Sequence, residues 1–244
     1  LGRVELESLR YVQGDKYMNQ DDAQKTIEEY IEAIRPNPQD AVAYRERGVA
    51  YSDSLEFELA IQDFSEAVRL DPKDADAYKY RGLAYIDTLD DTLALQDFNE
   101  AIRLAPEDAD AYNQRGLAYQ YQGLFKQAIQ DHDECIRLDP QSSFSYTNRG
   151  VAHNELEQYE QAVKDFNEAI RLNPEDADAY NHRSFAFRNL GKYDPAIQDA
   201  DEAIRLDPKN VEAYENRAEV YDLLGQHERA LMDFGEARDV ELGE

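Results

Sequence analysis

Six prolines, Pro38, Pro72, Pro106, Pro140, Pro174 and Pro208, stand 34 residues apart at every step. A chain that repeats at this interval builds one supersecondary unit many times over, and no single unit can bury its apolar face alone. Other residues keep the same step. Tyrosine recurs at Tyr44, Tyr78, Tyr112, Tyr146, Tyr180 and Tyr214, with an arginine three residues after each: Arg47, Arg81, Arg115, Arg149, Arg183 and Arg217. Alanine recurs at Ala60, Ala94, Ala128, Ala162, Ala196 and Ala230, and no insertion interrupts the period from Gln39 to the end.

With Ala41 as position 1, each period reads as two helices of about 13–15 residues. Position 34 holds Asp40, Asp74, Asp108, Ser142, Asp176 and Asn210, whose side-chain oxygens suit the free N–H groups at a helix start. The proline at position 32 stops the preceding helix from running on. Asp194-Pro195 opens a second helix as a cap followed by proline at the first helical position. The turn between the two helices carries Gly123, Gly191 or Gly225 in three repeats, but Leu55 and Leu89 hold that slot in the first two full ones, so those turns are expected to differ. Small residues at positions 8, 20 and 27 let helices approach closely, and rings at 4, 11 and 24 fill the space between them. The rings could form an aromatic ligand box, but their spacing is that of a buried face.

The pattern resembles the tetratricopeptide repeat family: an aromatic at 4, Leu-Gly at 7 and 8, Tyr at 11, Ala at 20, Phe at 24, Ala at 27 and Pro at 32. Residues 41–74 supply Tyr44, Gly48, Tyr51, Ala60, Phe64, Ala67 and Pro72, with Arg47 in the leucine slot. Repeats follow at 75–108, 109–142, 143–176, 177–210 and 211–244. A degenerate first repeat at 7–40 keeps Gly14, Tyr17, Ala33 and Pro38 but has Arg10 and Thr26 where the pattern wants an aromatic and alanine. The resemblance implies an all-α, right-handed α-solenoid of helix-turn-helix repeats, with residues 1–244 forming one domain.

Charge excludes several partners. The chain carries 53 acidic and 26 basic side chains, a net charge of −27. Phosphate is repelled, so no nucleic-acid partner is expected. No run of about 18 apolar residues exists for membrane insertion. The single cysteine, Cys135, excludes an intrachain disulfide framework and a cysteine zinc site. Composition leaves the compartment open, with a soluble cytoplasmic protein slightly favoured. The chain begins with leucine, which points to a processed product or an excised piece, so a leader would be invisible.

No constellation reads as catalytic, and no cofactor or metal is expected. Cys135 and His132 invite a nucleophile reading, but they occupy the inward positions 27 and 24. His153, His182 and His227 fall in different repeats, and no phosphate-binding glycine loop is present. The arginines at position 7 could line up to bind anions. However, position 23 is aspartate in the same six repeats (Asp63, Asp97, Asp131, Asp165, Asp199, Asp233), while the degenerate repeat has Gln13 and Glu29. Six structural Arg–Asp pairs are the expectation, because an unpaired arginine beside the core would be costly.

The resemblance places ligand binding on the first helices, at positions 2, 5, 6, 9, 12 and 13. The candidate ligand-binding residues are Asp76, Tyr80, Leu83, Asp110, Asn113, Gln114, Leu117, Tyr121, Phe144, Thr147, Asn148, Val151, Asp178, Asn181, His182, Phe185 and Asn216. They read as an apolar floor, a ladder of amides similar to that in the repeat arm of O-linked N-acetylglucosamine transferase, and an acidic edge. Amides both donate and accept, which suits the backbone of an extended peptide. The partner expected is a basic or neutral protein or peptide segment. Chaperone-tail members of the family use a clamp of Lys and Asn for an acidic C-terminus. Here position 9 is apolar and position 2 mostly acidic, with scattered matches such as Lys79, so that partner is not expected. The leading reading is a non-catalytic scaffold. The alternatives are the substrate-selecting arm of a larger enzyme and a self-assembling scaffold similar to magnetosome-associated repeat proteins. Exposed Leu231 and Met232 at the last helix would serve self-association through the C-terminal end.

Overall fold

The computed structural model describes residues 20–243. Its thirteen helices are α1 (Gln20–Ile34), α2 (Ala41–Asp53), α3 (Phe57–Leu70), α4 (Ala75–Asp87), α5 (Asp91–Leu104), α6 (Ala109–Tyr121), α7 (Phe125–Leu138), α8 (Ser143–Glu155), α9 (Tyr159–Leu172), α10 (Ala177–Asn189), α11 (Tyr193–Leu206), α12 (Val211–Leu223) and α13 (His227–Leu242). No strand is present among the described residues. The start of the degenerate repeat, with Arg10, Gln13, Gly14 and Tyr17, lies outside them. The helices fall into two compact units that divide after Leu124: α1 to α6 in the first and α7 to α13 in the second. Both are built from the same helix pairs.

Each first helix starts where its capping residue directs. The side chains of Asp40, Asp74, Asp108, Ser142, Asp176 and Asn210 accept hydrogen bonds from backbone N–H groups of the first turn, such as Ala43 to Asp40 at 3.0 Å and Ala213 to Asn210 at 2.9 Å. The packing within a pair is ring against glycine. Phe64, Phe98 and Phe166 are fully buried. A Cβ on Gly48, Gly82 or Gly150 would come within 2.7–2.8 Å of those rings, so position 8 must be small wherever position 24 is phenylalanine. In α10 and α11 the exchange is reversed: Ser184 and Ala200 occupy the two slots, and the Ser184 hydroxyl donates to the Ala196 carbonyl at 2.8 Å. Between the rings the core is mostly alanine, so the layers are thin.

The turns at Leu55 and Leu89 do not differ from the glycine turns. Leu55, Leu89 and Glu157 take φ of 61°, 65° and 57°, matching Gly123, Gly191 and Gly225 at 70–72°. The reason is the helix ending. Leu55 N–H donates to Ser52 at 2.9 Å and Glu56 N–H to Tyr51 at 2.8 Å, as Gly123 does to Gln120 and Leu124 to Tyr119. This pair of bonds needs a left-handed residue whatever its side chain. Leucine there is strained, so Leu55→Gly and Leu89→Gly should each stabilise the fold by about 1 kcal/mol. Thermal melts would check this as a rise of roughly 2–4 °C per substitution.

The position 7 and 23 residues pair as expected. Arg47 donates to Asp63 at 2.6 and 2.7 Å, and Arg81–Asp97, Arg149–Asp165, Arg183–Asp199 and Arg217–Asp233 repeat this two-pronged geometry at 2.6–3.0 Å. Arg115 and Asp131 belong to different units. Each paired guanidinium also lies over the position 4 ring of its own repeat, 5.5–5.7 Å from the centroid. Four of the five further reach back one repeat to position 25: Arg81 to Ser65, Arg149 to Asp133, Arg183 to Asn167 and Arg217 to Asp201, at 3.2, 2.6, 2.6 and 2.5 Å. One arginine therefore ties two helices of its own repeat to the second helix of the repeat before.

Candidate binding face

In the first unit, Tyr80 and Leu83 on α4 and Leu117 and Tyr121 on α6 are all partly buried. The Tyr80 ring stacks on Phe64 at 5.9 Å, and Leu83 and Tyr121 pack against the Ile86–Phe98 cluster. The acidic edge encloses a cation. Lys79 Nζ sits 2.8 Å from Asp108, 3.4 Å from Asp110 and 3.5 Å from Asp76. Burial works against the lysine charge, but the three carboxylates outweigh it and raise its pKa. Lys79 is thus spent on internal carboxylates and has no free charge for an acidic tail. Asp76 remains exposed, while Asp110 also accepts a hydrogen bond from Gln114 at 3.0 Å.

In the second unit, the amides do not stand open as the sequence reading expected. Asn181 is 2% exposed. Its Nδ2 donates to Glu212 at 2.9 Å, and its Oδ1 accepts from Asn216 Nδ2 at 2.7 Å. Asn216 accepts in turn from Arg188 at 2.8 Å. Thr147 is also buried and donates to the capping carboxylate Asp176 at 3.3 Å. Asn148 and Val151 are buried as well, as are Asn113 and Gln114 on α6 of the first unit. Between α8, α10 and α12 the first helices approach closely enough for Thr147, Asn181 and Asn216 to bridge from one element to the next, and those bridges take bonds assigned to a ligand.

What stays reachable above them is aromatic and charged. Phe144 on α8 is 37% exposed, and Phe185 on α10 is half-buried with the Arg188 guanidinium 4.8 Å over its ring. Arg188 also pairs with the half-exposed Glu219. His182 stacks on Phe166 at 5.9 Å. Burial, helped by Asp176 and Glu212, outweighs the opposing pull of His182, so the Asp178 carboxyl titrates above its ordinary value.

The remaining reactive groups are either buried or already hydrogen-bonded. Cys135 is buried with its sulfur 2.8 Å from the Ser145 hydroxyl. His132 is fully buried, and neither ring nitrogen has a hydrogen-bond partner. His153 bonds Gln158 at 2.7 Å, and His227 bonds Asp222 at 2.6 Å.

Stacked antiparallel helix pairs, capped by Asp and locked by ring-on-glycine packing, define an all-α helix-pair repeat protein of the α-solenoid class. The tetratricopeptide repeat family model matches residues 109–142 and 143–176, the same boundaries that the proline period gives. A second TPR repeat model matches 56–88, 90–123 and 185–225. The chain belongs to the tetratricopeptide repeat family. No curated protein sequence matches it. Among solved structures, it is similar to a PilF protein of Pseudomonas aeruginosa at 20% identity and a TM-score of 0.73, covering 85% of this chain and 96% of that one. It is also similar to YrrB, described as a TPR protein with an unusual peptide-binding site, at 22% identity and 0.64, covering 75% and 95%. MamA matches at 24% identity and 0.61, covering 66% and 95%. At these identities the likeness shows the fold. Among the described residues, no helix is long and apolar enough to cross a membrane.

Proposed function

We propose that the protein is a non-catalytic scaffold whose first-helix face binds an extended, basic or neutral segment of a partner protein. The observation that carries this is the aromatic and charged layer of the second unit. Phe144 on α8 stands 37% exposed and Phe185 on α10 half-buried, on first helices whose Asn181 and Asn216 amides are buried and bonded to each other. An exposed phenylalanine on a face whose polar groups are already satisfied offers apolar contact without breaking hydrogen bonds. Family membership supports the class of function, and the peptide-binding site ascribed to YrrB shows that a protein of this fold can hold a peptide. The ligand would meet Phe144, Phe185, His182 and the rim carboxylates, while Asn181 and Asn216 brace the helices beneath.

Titration of short peptides selected against the protein checks this. Phe144→Ala should weaken a selected peptide about tenfold without changing the melting temperature, because the ring is a central anchor rather than core. Asp76→Asn should chiefly flatten the salt dependence for a peptide bound by the first unit, since exposed charges are screened over about 8 Å at physiological salt. Unchanged affinity in both variants would remove the face from the account.

A second reading, self-association through the last helix, is favoured by one observation. On α13, Leu231 and Met232 are 71% and 70% exposed, and Phe234 is 41% exposed where Phe64, Phe98 and Phe166 are fully buried. Light scattering should then show mass rising with concentration and falling back in a Leu231→Lys, Met232→Lys variant. A constant monomer mass would dismiss it.

A further inference from the structure

Two turns of the first unit break two local rules at once. Leu55 and Leu89 sit on left-handed backbone that glycine occupies in the corresponding turns at Gly123, Gly191 and Gly225. Both side chains also point to solvent, 62% and 52% exposed. A strained leucine with more than half of its surface in solvent contributes little to the packing of its own turn, and such outliers gather where a surface has another use. One turn further on, Leu59 is exposed and Leu93 half-buried, so each turn presents a leucine pair.

The charge around these pairs is one-sided. No lysine or arginine lies between Gly48 and Val68 or between Gly82 and Ile102, whereas the turns at Gly123, Gly191 and Gly225 have Lys126, Arg188, Lys192 and Arg229 near them. Glu56, Glu58 and Asp90 flank the leucines and are exposed. Helices α2 and α4, which end in the two turns, are in contact, so the leucine pairs lie about one interaxial spacing apart, roughly 10 Å. On an α-helix, residues i and i+7 are separated by about 10.5 Å on one face.

We propose that the edge formed by Leu55, Leu59, Leu89 and Leu93 docks a basic amphipathic helix of a partner protein, with apolar residues at i, i+3 and i+7 between lysines or arginines. The helix bridges both turns, its apolar side chains meet the leucine pairs, and its cations face the surrounding carboxylates. This edge is separate from the first-helix face, so the two sites stand or fall independently.

The test uses a synthetic peptide with leucine at those spacings and lysine elsewhere, a scrambled version of equal composition, and the full chain. The patterned peptide should bind at least about tenfold more tightly than the scrambled one, since charge alone is shared by both. In the Leu55→Gly, Leu89→Gly variant its affinity should fall about tenfold while the melting temperature rises, which separates lost contact from lost fold. Phe144→Ala should leave this affinity unchanged. Equal binding of both peptides, equal binding to the glycine variant, a lowered melting temperature in that variant, or loss of binding in Phe144→Ala instead would each overturn the proposal.

Discussion

Replacing Arg183 with alanine should cost about 3–5 kcal/mol, because Asp199 is left as an uncompensated buried charge. Asp199 is 6% exposed, and burial already drives its pKa up against the pull of Arg183. The same substitution also removes the bond to Asn167 and the stacking of the guanidinium over Tyr180. Adding Asp199→Ala to Arg183→Leu should recover much of the loss, since an apolar pair of similar volume needs no charge partner. Chemical denaturation of Arg183→Leu, Asp199→Ala and their double variant measures this. Additive losses, with the double variant as unstable as the sum, would show that the pair does not act as a unit.

The second large effect is a dependence on acid set by one side chain. His132 occupies the ring position of its repeat, fully buried, with both nitrogens unbonded. Burial, with a smaller push from Arg149, lowers its pKa to about 3 from an ordinary 6.5. The folded chain therefore keeps this ring neutral where the unfolded chain protonates it. Stability is fully present above pH 6.5, declines as pH falls below that value, and the decline levels off near pH 3. The full difference corresponds to roughly 5 kcal/mol. His132→Phe restores the residue found at Phe64, Phe98 and Phe166 and should abolish this part of the acid sensitivity while raising stability at neutral pH. Denaturation curves at pH 7 and pH 4 for both proteins decide it. If the histidine chain lost no more stability than the phenylalanine variant between those values, the ring would have a proton partner in the folded state.

Much of this architecture could be read from the period. Asp40, Asp74, Asp176 and their counterparts cap helices because an N-cap is a local device, set by residues within one turn of it. The Arg–Asp pairs were legible because both partners recur, and vanish, together. The amide ladder was not. Its positions lie on the face that carries ligands in the resembled family, but whether a side chain there meets solvent or the next helix depends on spacing between first helices, which no single repeat encodes. Asn216 to Asn181 at 2.7 Å is the consequence. The carboxylate cage around Lys79 was missed for the same reason, since Asp108 and Asp110 come from the following repeat. A signal did exist: position 5 faces a capping carboxylate 29 residues on, as in Arg45 to Asp74, Lys79 to Asp108 and Thr147 to Asp176. The left-handed leucines were misjudged because side-chain preference was weighed above the pair of backbone bonds that closes every such turn.

The footprint of a bound segment tests the central claim most directly. A peptide selected against the protein, carrying a photoreactive group and cross-linked to the intact chain, reports which helices it touches. Cross-links within the second unit should fall on the first helices α8, α10 and α12, around Phe144, His182 and Phe185, and should vanish in Phe144→Ala. Cross-links confined to the second helices α9 and α11, unchanged by that substitution, would contradict the assignment of the first-helix face as the binding surface.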